Sequence, residues 1–234
     1  MKTLLMWLEG PLQSWGVSSK FDSRETLPFP TLSGVCGLLC AASGASGEQR
    51  ELLAQISEAG WNVLAFTRKN CPVSPVLRDF HMIGSGYDTD NPWLNLLVPK
   101  TINGKRPSGV PWQKLTYRYL LQSAAFAVFL TFREEALAEK LLYALQHPVW
   151  GPFLGRKHAA PTEIIAQGVY SSVEEARLRA CQLMEEKNLE LLFEVVEGYQ
   201  EEGEPQIVND VPVNFGDHKT YRDRYVTVLP CEKE

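Results

Sequence analysis

The sequence predicts an α+β fold whose strands and helices follow the ferredoxin-like order β-α-β-β-α-β, with additional strands towards the C-terminus. Two observations lead to this prediction. Apolar strand patterns and amphipathic helix patterns follow this order along the chain. Residues 84–115, which are rich in glycine, proline and asparagine, interrupt it. Because a connection of this length is uncommon in a compact domain, we expect a projection with a function of its own.

Three strands and two helices are predicted before this interruption. TLLMWLEG is a strand that ends at Gly10 and Pro11, because both residues break regular structure. TLSGVCGLLCAASG is a helix that Thr31 or Ser33 can cap and Gly44 can end. EQRELLAQISEAG predicts a second helix, and WNVLAFTRK and PVSPVLRDFHMIG predict two strands.

The remaining elements follow the interruption. The second half of TYRYLLQSAAFAVFLTF predicts a buried strand, and EEALAEKLLYALQHP predicts an amphipathic helix that Pro148 ends. VEEARLRACQLMEEKN predicts another helix, and LELLFEVVEG and YRDRYVTVLP predict strands. The chain therefore divides into a ferredoxin-like unit with C-terminal elements, residues 1–83 and 116–234, and an inserted projection, residues 84–115.

The composition is that of an ordinary globular protein. The chain has 234 residues, 44% of them hydrophobic and 22% charged, and a formal net charge of -5. No apolar run reaches the roughly 18 residues that a membrane span requires, so we expect no membrane association. Five cysteines without a pairing pattern are typical of a cytoplasmic protein. Cys36 and Cys40 lie four residues apart, but no second pair completes a zinc site, so we expect no metal and no cofactor.

The charges are distributed unevenly along the chain. No aspartate or glutamate lies between Asn91 and Arg133, and this stretch contains several lysines, arginines and aromatic residues. Between Glu174 and Glu204, by contrast, ten acidic residues stand against three basic ones. The first stretch favours contact with an anion such as nucleic acid, although a mobile surface loop with a few lysines is equally consistent with it. The second favours a solvated surface over contact with a basic partner.

Three short motifs carry further information. In GPLQSWG, Gln13 and Ser14 can donate hydrogen bonds to RNA and Trp15 can stack on a base, but a tight turn with a buried tryptophan explains the motif equally well. In PTLSGVCGLLCAASG, Gly34 and Gly37 each cost a helix about 1 kcal/mol relative to alanine. Close packing against another element is the favoured explanation for both.

The third motif is GPFLGRKHAAP. Gly155 lets backbone N–H groups approach an anion, and Arg156 and Lys157 follow it directly. Such an arrangement, in a chain that is acidic overall, indicates local contact with phosphate.

The order of these motifs resembles the CasD subunits of the type I-E CRISPR surveillance complex, Cascade, within the RAMP superfamily. The resemblance rests on LQSWG, PTLSGVCGLLCAA, a basic insertion, FLGRK and a late R-x-R-Y-V segment. LRDFH, YRYL and YRDRYV are similar to further stretches of that family, so the resemblance spans nearly the whole chain. Residues 84–113 follow no pattern of the family.

The resemblance implies an RRM-type, ferredoxin-like palm with a thumb. It also implies that the protein binds the 5′ repeat-derived handle of a guide CRISPR RNA, caps a backbone of CasC subunits and supports the large subunit CasA, which inspects target DNA. It implies no catalysis. The predicted RNA contacts are Gln13, Ser14, Trp15, Arg24, Arg78, His81, Lys105, Arg106, Lys114, Tyr117, Arg118, Gly155, Arg156 and Lys157.

Other functions remain as alternatives. Some relatives cleave repeat RNA, and His81, His158, Tyr117 and Lys157 could supply the acid and base that a metal-independent endoribonuclease needs. A protein-only adaptor leaves the acid-free stretch unexplained. A metal-dependent hydrolase is disfavoured, because the two Asp–His neighbours in the sequence lack further ligands at motif spacing.

Overall fold

A computed structural model describes residues 1–16, 22–69, 75–83 and 114–231. The helices among these residues are α1 (Leu32–Ala42), α2 (Arg50–Ser57), α3 (Glu135–Gln146) and α4 (Val173–Glu186). The strands are β1 (Lys2–Glu9), β2 (Leu12–Gln13), β3 (Ser23–Arg24), β4 (Gly60–Arg68), β5 (Val76–Ile83), β6 (Lys114–Gln122), β7 (Ala125–Phe132), β8 (Ala166–Tyr170), β9 (Leu189–Glu197), β10 (Glu204–Asn214) and β11 (Thr220–Pro230). No helix among the described residues is long and apolar enough to cross a membrane.

Most strands belong to one seven-stranded sheet in the order β10-β11-β9-β4-β7-β1-β8. All of its neighbouring strands are antiparallel. Successive residues of β1 enter opposite layers, since side chains alternate across a strand. Leu4 and Met6 pack in the core that α1, α2 and α3 cover, and Leu5 and Trp7 pack in the core beneath α4. Helices therefore bury both faces, which explains why TLLMWL is apolar without interruption.

A second, smaller sheet contains β2, β6 and β3 in that order, and β5 also pairs with β6. The β5–β6 pair is antiparallel, with Val76 opposite Leu121 at one end and Ile83 opposite Lys114 at the other. This pair, here called the β5–β6 hairpin, flanks residues 84–113. These residues, and Lys105 and Arg106 within them, lie outside the described part of the chain.

The sequence predicted the α+β class and most elements correctly. Thr31 caps α1 by accepting a hydrogen bond from the N–H of Gly34, 3.2 Å, as expected from the motif. Five of the described strands were not predicted: the two-residue strands β2 and β3, then β6, β8 and β10. β10 contains Pro205 and Pro212, which argue against a strand from sequence alone, but it lies at the edge of the sheet, where proline is tolerated. β8 is short and only partly buried, so it carries no clear apolar pattern.

The C-terminal strands hold α1 in place. The Oδ2 atom of Asp210, on β10, accepts a hydrogen bond from the N–H of Leu32, 2.7 Å, at the first turn of α1. Arg224, on β11, donates from Nε to Oδ1 and from Nη2 to Oδ2 of Asp210, at 2.7 and 2.9 Å. Its guanidinium also lies 4.8 Å from the ring centroid of Trp61. This network positions the exposed side of α1, which carries the candidate site.

Candidate nucleic-acid interface

A groove of about 1040 Å³ lies between α1 and residues 151–160, here called the glycine-rich loop. Its walls bring together segments that are far apart in the sequence: the turn after β2, α1, the glycine-rich loop and the start of β11. The lining residues from the three sequence motifs include Ser14, Gly34, Gly37, Gly155, Arg156 and Lys157. The three motifs therefore form one concave surface.

The groove is lined by both cationic and aromatic side chains. Arg156 and Lys157 supply positive charge, and Trp150 and Phe215 supply aromatic surface. A groove with both kinds of side chain can hold phosphates and bases of a single strand at once.

The glycine-rich loop interlocks with the turn after β2. Gly155 has φ +84°, and a Cβ atom at this position would overlap the carbonyl oxygen of Ser14. The N–H of Ser14 donates to the carbonyl oxygen of Leu154, 3.1 Å. Arg156 donates from Nε to Oγ of Ser14, 3.1 Å, and that hydroxyl donates onward to the carbonyl oxygen of Tyr119, 3.3 Å. Glycine at position 155 therefore allows the loop to approach Ser14 closely, and this approach positions Arg156.

Gln13 and Trp15 lie behind the groove, with 0% and 1% of their surfaces exposed. Nε2 of Gln13 donates to the carbonyl oxygens of Leu8, 3.2 Å, and Ala124, 2.7 Å, and its Oε1 accepts from the indole N–H of Trp15, 3.1 Å. These side chains are buried, and the hydrogen-bonding groups named above are paired with other groups of the protein. This corrects the expectation that they contact RNA directly and favours the alternative, a turn held by a buried tryptophan.

Three arginines, here called the arginine cluster, meet next to the groove. Arg24 and Arg118 are direct neighbours on the paired strands β3 and β6. Burial lowers the pKa of Arg156, and the charges of Arg118 and Arg24 lower it further, whereas Asp79 acts in the opposite direction. The Nε atom of Arg118 is buried without a hydrogen-bond partner among the described residues. The sequence identified all three arginines but not their proximity.

The outer face of the β5–β6 hairpin, here called the aromatic face, carries exposed aromatic and apolar side chains. The guanidinium of Arg78 lies 5.3 Å from the ring centroid of Tyr117, and the rings of Phe80 and Tyr117 are 5.7 Å apart between centroids. Met82 and Leu115 are also exposed on this hairpin. The sequence analysis named Arg78 and Tyr117 but not Phe80. Phe80 could have been identified from the alternation of side chains along the strand LRDFHM, because that alternation places Arg78 and Phe80 on one face.

The candidate acid–base residues do not share one face of the hairpin. Phe80 is the cross-strand partner of Tyr117, and His81 is the partner of Thr116, so Tyr117 and His81 point to opposite faces. The Nδ1 atom of His81 lies 3.8 Å from a carboxylate oxygen of Asp79. Lys157 is exposed on the glycine-rich loop. The structure thus brings His81 towards the arginine cluster and places Tyr117 on the aromatic face.

The structure describes three of the predicted RNA contacts only in part or not at all. Lys114 is the first residue of β6, but its side chain lies outside the described part of the chain, as do Lys105 and Arg106 entirely.

Within the described ranges no group of three or more His, Cys, Asp or Glu residues could hold a metal ion. Burial raises the pKa of Cys40, which lines the groove, to about 11, so that this thiol stays protonated at neutral pH.

Comparison with known proteins identifies the family. The family model described as "CRISPR-associated protein (Cas_Cas5)" matches residues 3–228. The chain belongs to the CRISPR-associated Cas5 family. This match extends from β1 to β11 and so includes strands of both sheets.

Individual relatives agree with this assignment. The chain is similar to the Cascade subunit CasD of Escherichia coli K12, with 29% identity over 173 residues, which is 70% of each chain. A chain of a structure titled "CRISPR RNA-guided surveillance complex" aligns with TM-score 0.72 and 26% identity, over 97% of this chain and 89% of that one. A structure titled "Crystal structure of Cas protein" aligns with TM-score 0.59 and 28% identity, over 97% and 95%. The CasD resemblance noted in the sequence is thereby confirmed.

Proposed function

We propose that this Cas5 family protein is a non-catalytic subunit of a type I-E CRISPR surveillance complex and binds the 5′ repeat-derived handle of the guide RNA. The observation that carries the proposal is the groove. Three motifs from distant parts of the chain meet in it and place Arg156 and Lys157 beside aromatic surface. Similarity to CasD and to a chain of an RNA-guided complex supports the same conclusion.

We assign the strands β8, β1, β7 and β4 to a ferredoxin-like palm. They lie next to one another in the sheet in this order, whereas along the chain they follow one another as β1, β4, β7 and β8. Helices α1 and α2 precede β4, and α3 precedes β8, which corresponds to a β-α-β-β-α-β unit. The β5–β6 hairpin is then an insertion between the second and third strands, and residues 84–115 would extend it as the thumb.

The handle would bind as a single strand. The cations Arg156 and Lys157, which line the groove, attract phosphates. Trp150 and Phe215 in the groove and the aromatic face of the hairpin provide surfaces on which unpaired bases can stack. Because the net charge of the chain is -5, this local positive charge favours RNA at one surface while the acidic remainder disfavours it elsewhere.

The proposed partners follow from the family. A CasC backbone subunit would contact the thumb, whose Lys105, Arg106 and Lys114 would lie towards the RNA. The large subunit CasA would rest on the opposite side and would bring target DNA to the complex, so that this chain contacts DNA only indirectly.

Binding without cleavage is favoured over the endoribonuclease alternative. Metal-independent RNA cleavage needs a base and an acid on opposite sides of one phosphodiester, within hydrogen-bond reach. Tyr117 and His81 point to opposite faces of the hairpin, so they cannot act together on one phosphodiester. The described candidates thus suit stacking and phosphate contact.

Equilibrium binding of repeat-derived RNA tests the proposal. Wild type should bind the handle more tightly than a scrambled RNA of equal length. Lys157→Ala should weaken binding about tenfold if it loses one charge-assisted contact. The slope of log affinity against log salt should fall by about 0.7 for each lost contact with a single strand. Lys140→Ala, on exposed α3, is the matched control and should bind as wild type does; equal affinity for handle and scrambled RNA would contradict the proposal.

A single-turnover incubation of excess protein with repeat RNA, without metal, tests the alternative. Intact RNA recovered with the protein agrees with a binding subunit. Site-specific cleavage by wild type that disappears in the double variant His81→Ala/His158→Ala would instead identify an endoribonuclease.

A further inference from the structure

Three charged side chains meet where the C-terminal end of α4 reaches the end of β1. The Nζ atom of Lys187 lies 3.1 Å from Oε2 of Glu9 and 2.8 Å from Oε1 of Glu163. The indole N–H of Trp7 donates to the same oxygen of Glu9, 2.7 Å. Because Trp7 is fully buried, it fixes the carboxylate of Glu9, whereas Glu163 lies on the irregular segment that follows the glycine-rich loop. The ammonium of Lys187 therefore connects a fixed strand to this segment.

The segment after the glycine-rich loop runs along the end of β1. The N–H of Thr162 donates to the carbonyl oxygen of Glu9, 2.9 Å. A Cβ atom on Gly10 would lie 2.8 Å from the carbonyl oxygen of Ala160, so the loop passes closely over the residue that follows β1. The position of the loop thus depends on how this segment is held against β1.

Two backbone hydrogen bonds connect this segment to the cations of the groove. The N–H of Leu154 donates to the carbonyl oxygen of Ala159, 2.7 Å, and the N–H of Ala159 donates to the carbonyl oxygen of Arg156, 2.8 Å. They close a turn that contains Arg156 and Lys157. Among the described residues Lys187 does not line the groove. An effect of Lys187 on a ligand in the groove would therefore pass through the loop.

We propose that Lys187 is a positioning residue for RNA binding: it holds the glycine-rich loop against β1 and so keeps Arg156 and Lys157 at the groove. This inference rests on the proposed function, which supplies the ligand, and adds a residue that lies outside the binding surface. It also couples α4 to the groove, although α4 and α1 cover opposite faces of the sheet.

Lys187 suits this role because its backbone is fixed and its charge is shared. It is the C-terminal cap of α4, and its N–H donates to the carbonyl oxygen of Leu183, 3.1 Å, a residue buried in the core beneath α4. Without the ammonium, the carboxylates of Glu9 and Glu163 would face and repel each other. The loop would then be in place for a smaller fraction of the time, and the apparent affinity for RNA would fall with that fraction.

The first experiment measures hydrogen exchange of the full chain without RNA. In Lys187→Met, peptides that cover residues 151–163 should exchange at least about threefold faster than in wild type, because the loop opens more often. Lys187→Arg keeps the cation and should exchange as wild type does. Lys2→Met is the matched control and should leave this exchange unchanged. Lys2 lies at the opposite end of β1, pairs with Glu135 at 2.9 Å and has 28% of its side chain exposed, against 21% for Lys187.

The second experiment measures the affinity for handle RNA in a double-mutant cycle. Lys187→Met should weaken binding about threefold to tenfold. Lys187→Met/Glu163→Gln should recover most of this loss, because it ends the repulsion between the carboxylates. A direct contact between Lys187 and RNA predicts instead that Glu163→Gln changes the affinity by the same factor in wild type and in Lys187→Met. The corresponding cycle of Lys2→Met and Glu135→Gln should not change RNA affinity.

Three outcomes would overturn the role of Lys187. They are unchanged exchange in Lys187→Met, faster exchange without weaker RNA binding, and an equal effect of Glu163→Gln in both backgrounds. If Lys187→Met did not fold, Lys187→Gln would decide by the same comparisons. If wild type bound no handle RNA at all, the proposed function would fail, while hydrogen exchange would still test whether Lys187 holds the loop.

Discussion

Two arginine environments in this protein differ in how their charge is balanced. Arg224 is buried, with 6% of its side chain exposed, and forms a two-bond ion pair with Asp210. Arg156 is instead half-buried near Arg118 and Arg24, and burial together with their charges lowers its pKa. The first arrangement connects β11, β10 and α1 and so serves the fold. In the second, the side chain of Arg156 reaches the groove, where it can meet a ligand.

The largest expected effect comes from removing the carboxylate of the Arg224–Asp210 ion pair. Asp210→Asn should destabilise the protein by about 3–5 kcal/mol, because it leaves the charge of Arg224 buried without a counterion. Urea unfolding measures this loss. Removing both charges with Asp210→Asn/Arg224→Met should restore part of the stability. A cost below about 1 kcal/mol for the single variant would contradict a structural role of the Asp210–Arg224 pair.

A smaller effect should follow when the loop that holds Arg156 is disturbed. Gly155→Ala should cost about 3 kcal/mol or more, since alanine is strained at φ +84° and its Cβ would overlap the carbonyl oxygen of Ser14. Urea unfolding and RNA affinity should both report the loss. Gly47→Ala is the matched control, because its φ is +83° and no atom lies within 4 Å of its added Cβ. Equal costs for the two variants would show that the contact with Ser14 does not matter.

The smallest expected effects come from substituting two glycines of α1, and they distinguish the stability of the protein from its RNA binding. Gly37→Ala should stabilise the protein by up to about 1 kcal/mol, because alanine favours a helix and nothing lies within 4 Å of the added Cβ. Since Gly37 lines the groove, the same variant should weaken RNA binding. Gly34→Ala should destabilise instead, as its Cβ would lie 2.8 Å from the ring of Trp15. Urea unfolding and RNA affinity should be measured for both variants. If both variants changed the free energy of unfolding in the same direction, the proposed difference between Gly37 and Gly34 would be refuted.

These effects also show how much of the site could be predicted from the sequence. Gly155, Arg156 and Lys157 were recognised because glycine and two cations stand together within one short segment. Gln13 and Trp15 were assigned to RNA because their side chains suit it chemically, yet both are buried. A side chain's chemistry can be seen in a sequence, but its exposure depends on the layers that fold over it. Trp15 lies under α1, against Gly34.

The sequence by itself determined the local elements. The continuous apolar pattern of β1, the Thr31 cap of α1 and the amphipathic pattern of α3 all depend on residues within one turn or one strand. Short-range physics governs such features: side-chain alternation, helix periodicity and the hydrogen bonds at helix ends. They can therefore be recognised in the sequence without knowing how the rest of the chain packs.

Only the tertiary structure decided which distant residues meet. Asp210 bonds to the N–H of Leu32 across 178 positions, and Arg156 bonds to Ser14 across 142. Arg24 lies beside Arg118 because β3 pairs in parallel with β6 in one particular register. A shift of that register by one residue would move Arg118 to the opposite face of the sheet. The balance of charge at each arginine is set by these long-range pairings, because burial and the distance between charges exist only once the chain has folded.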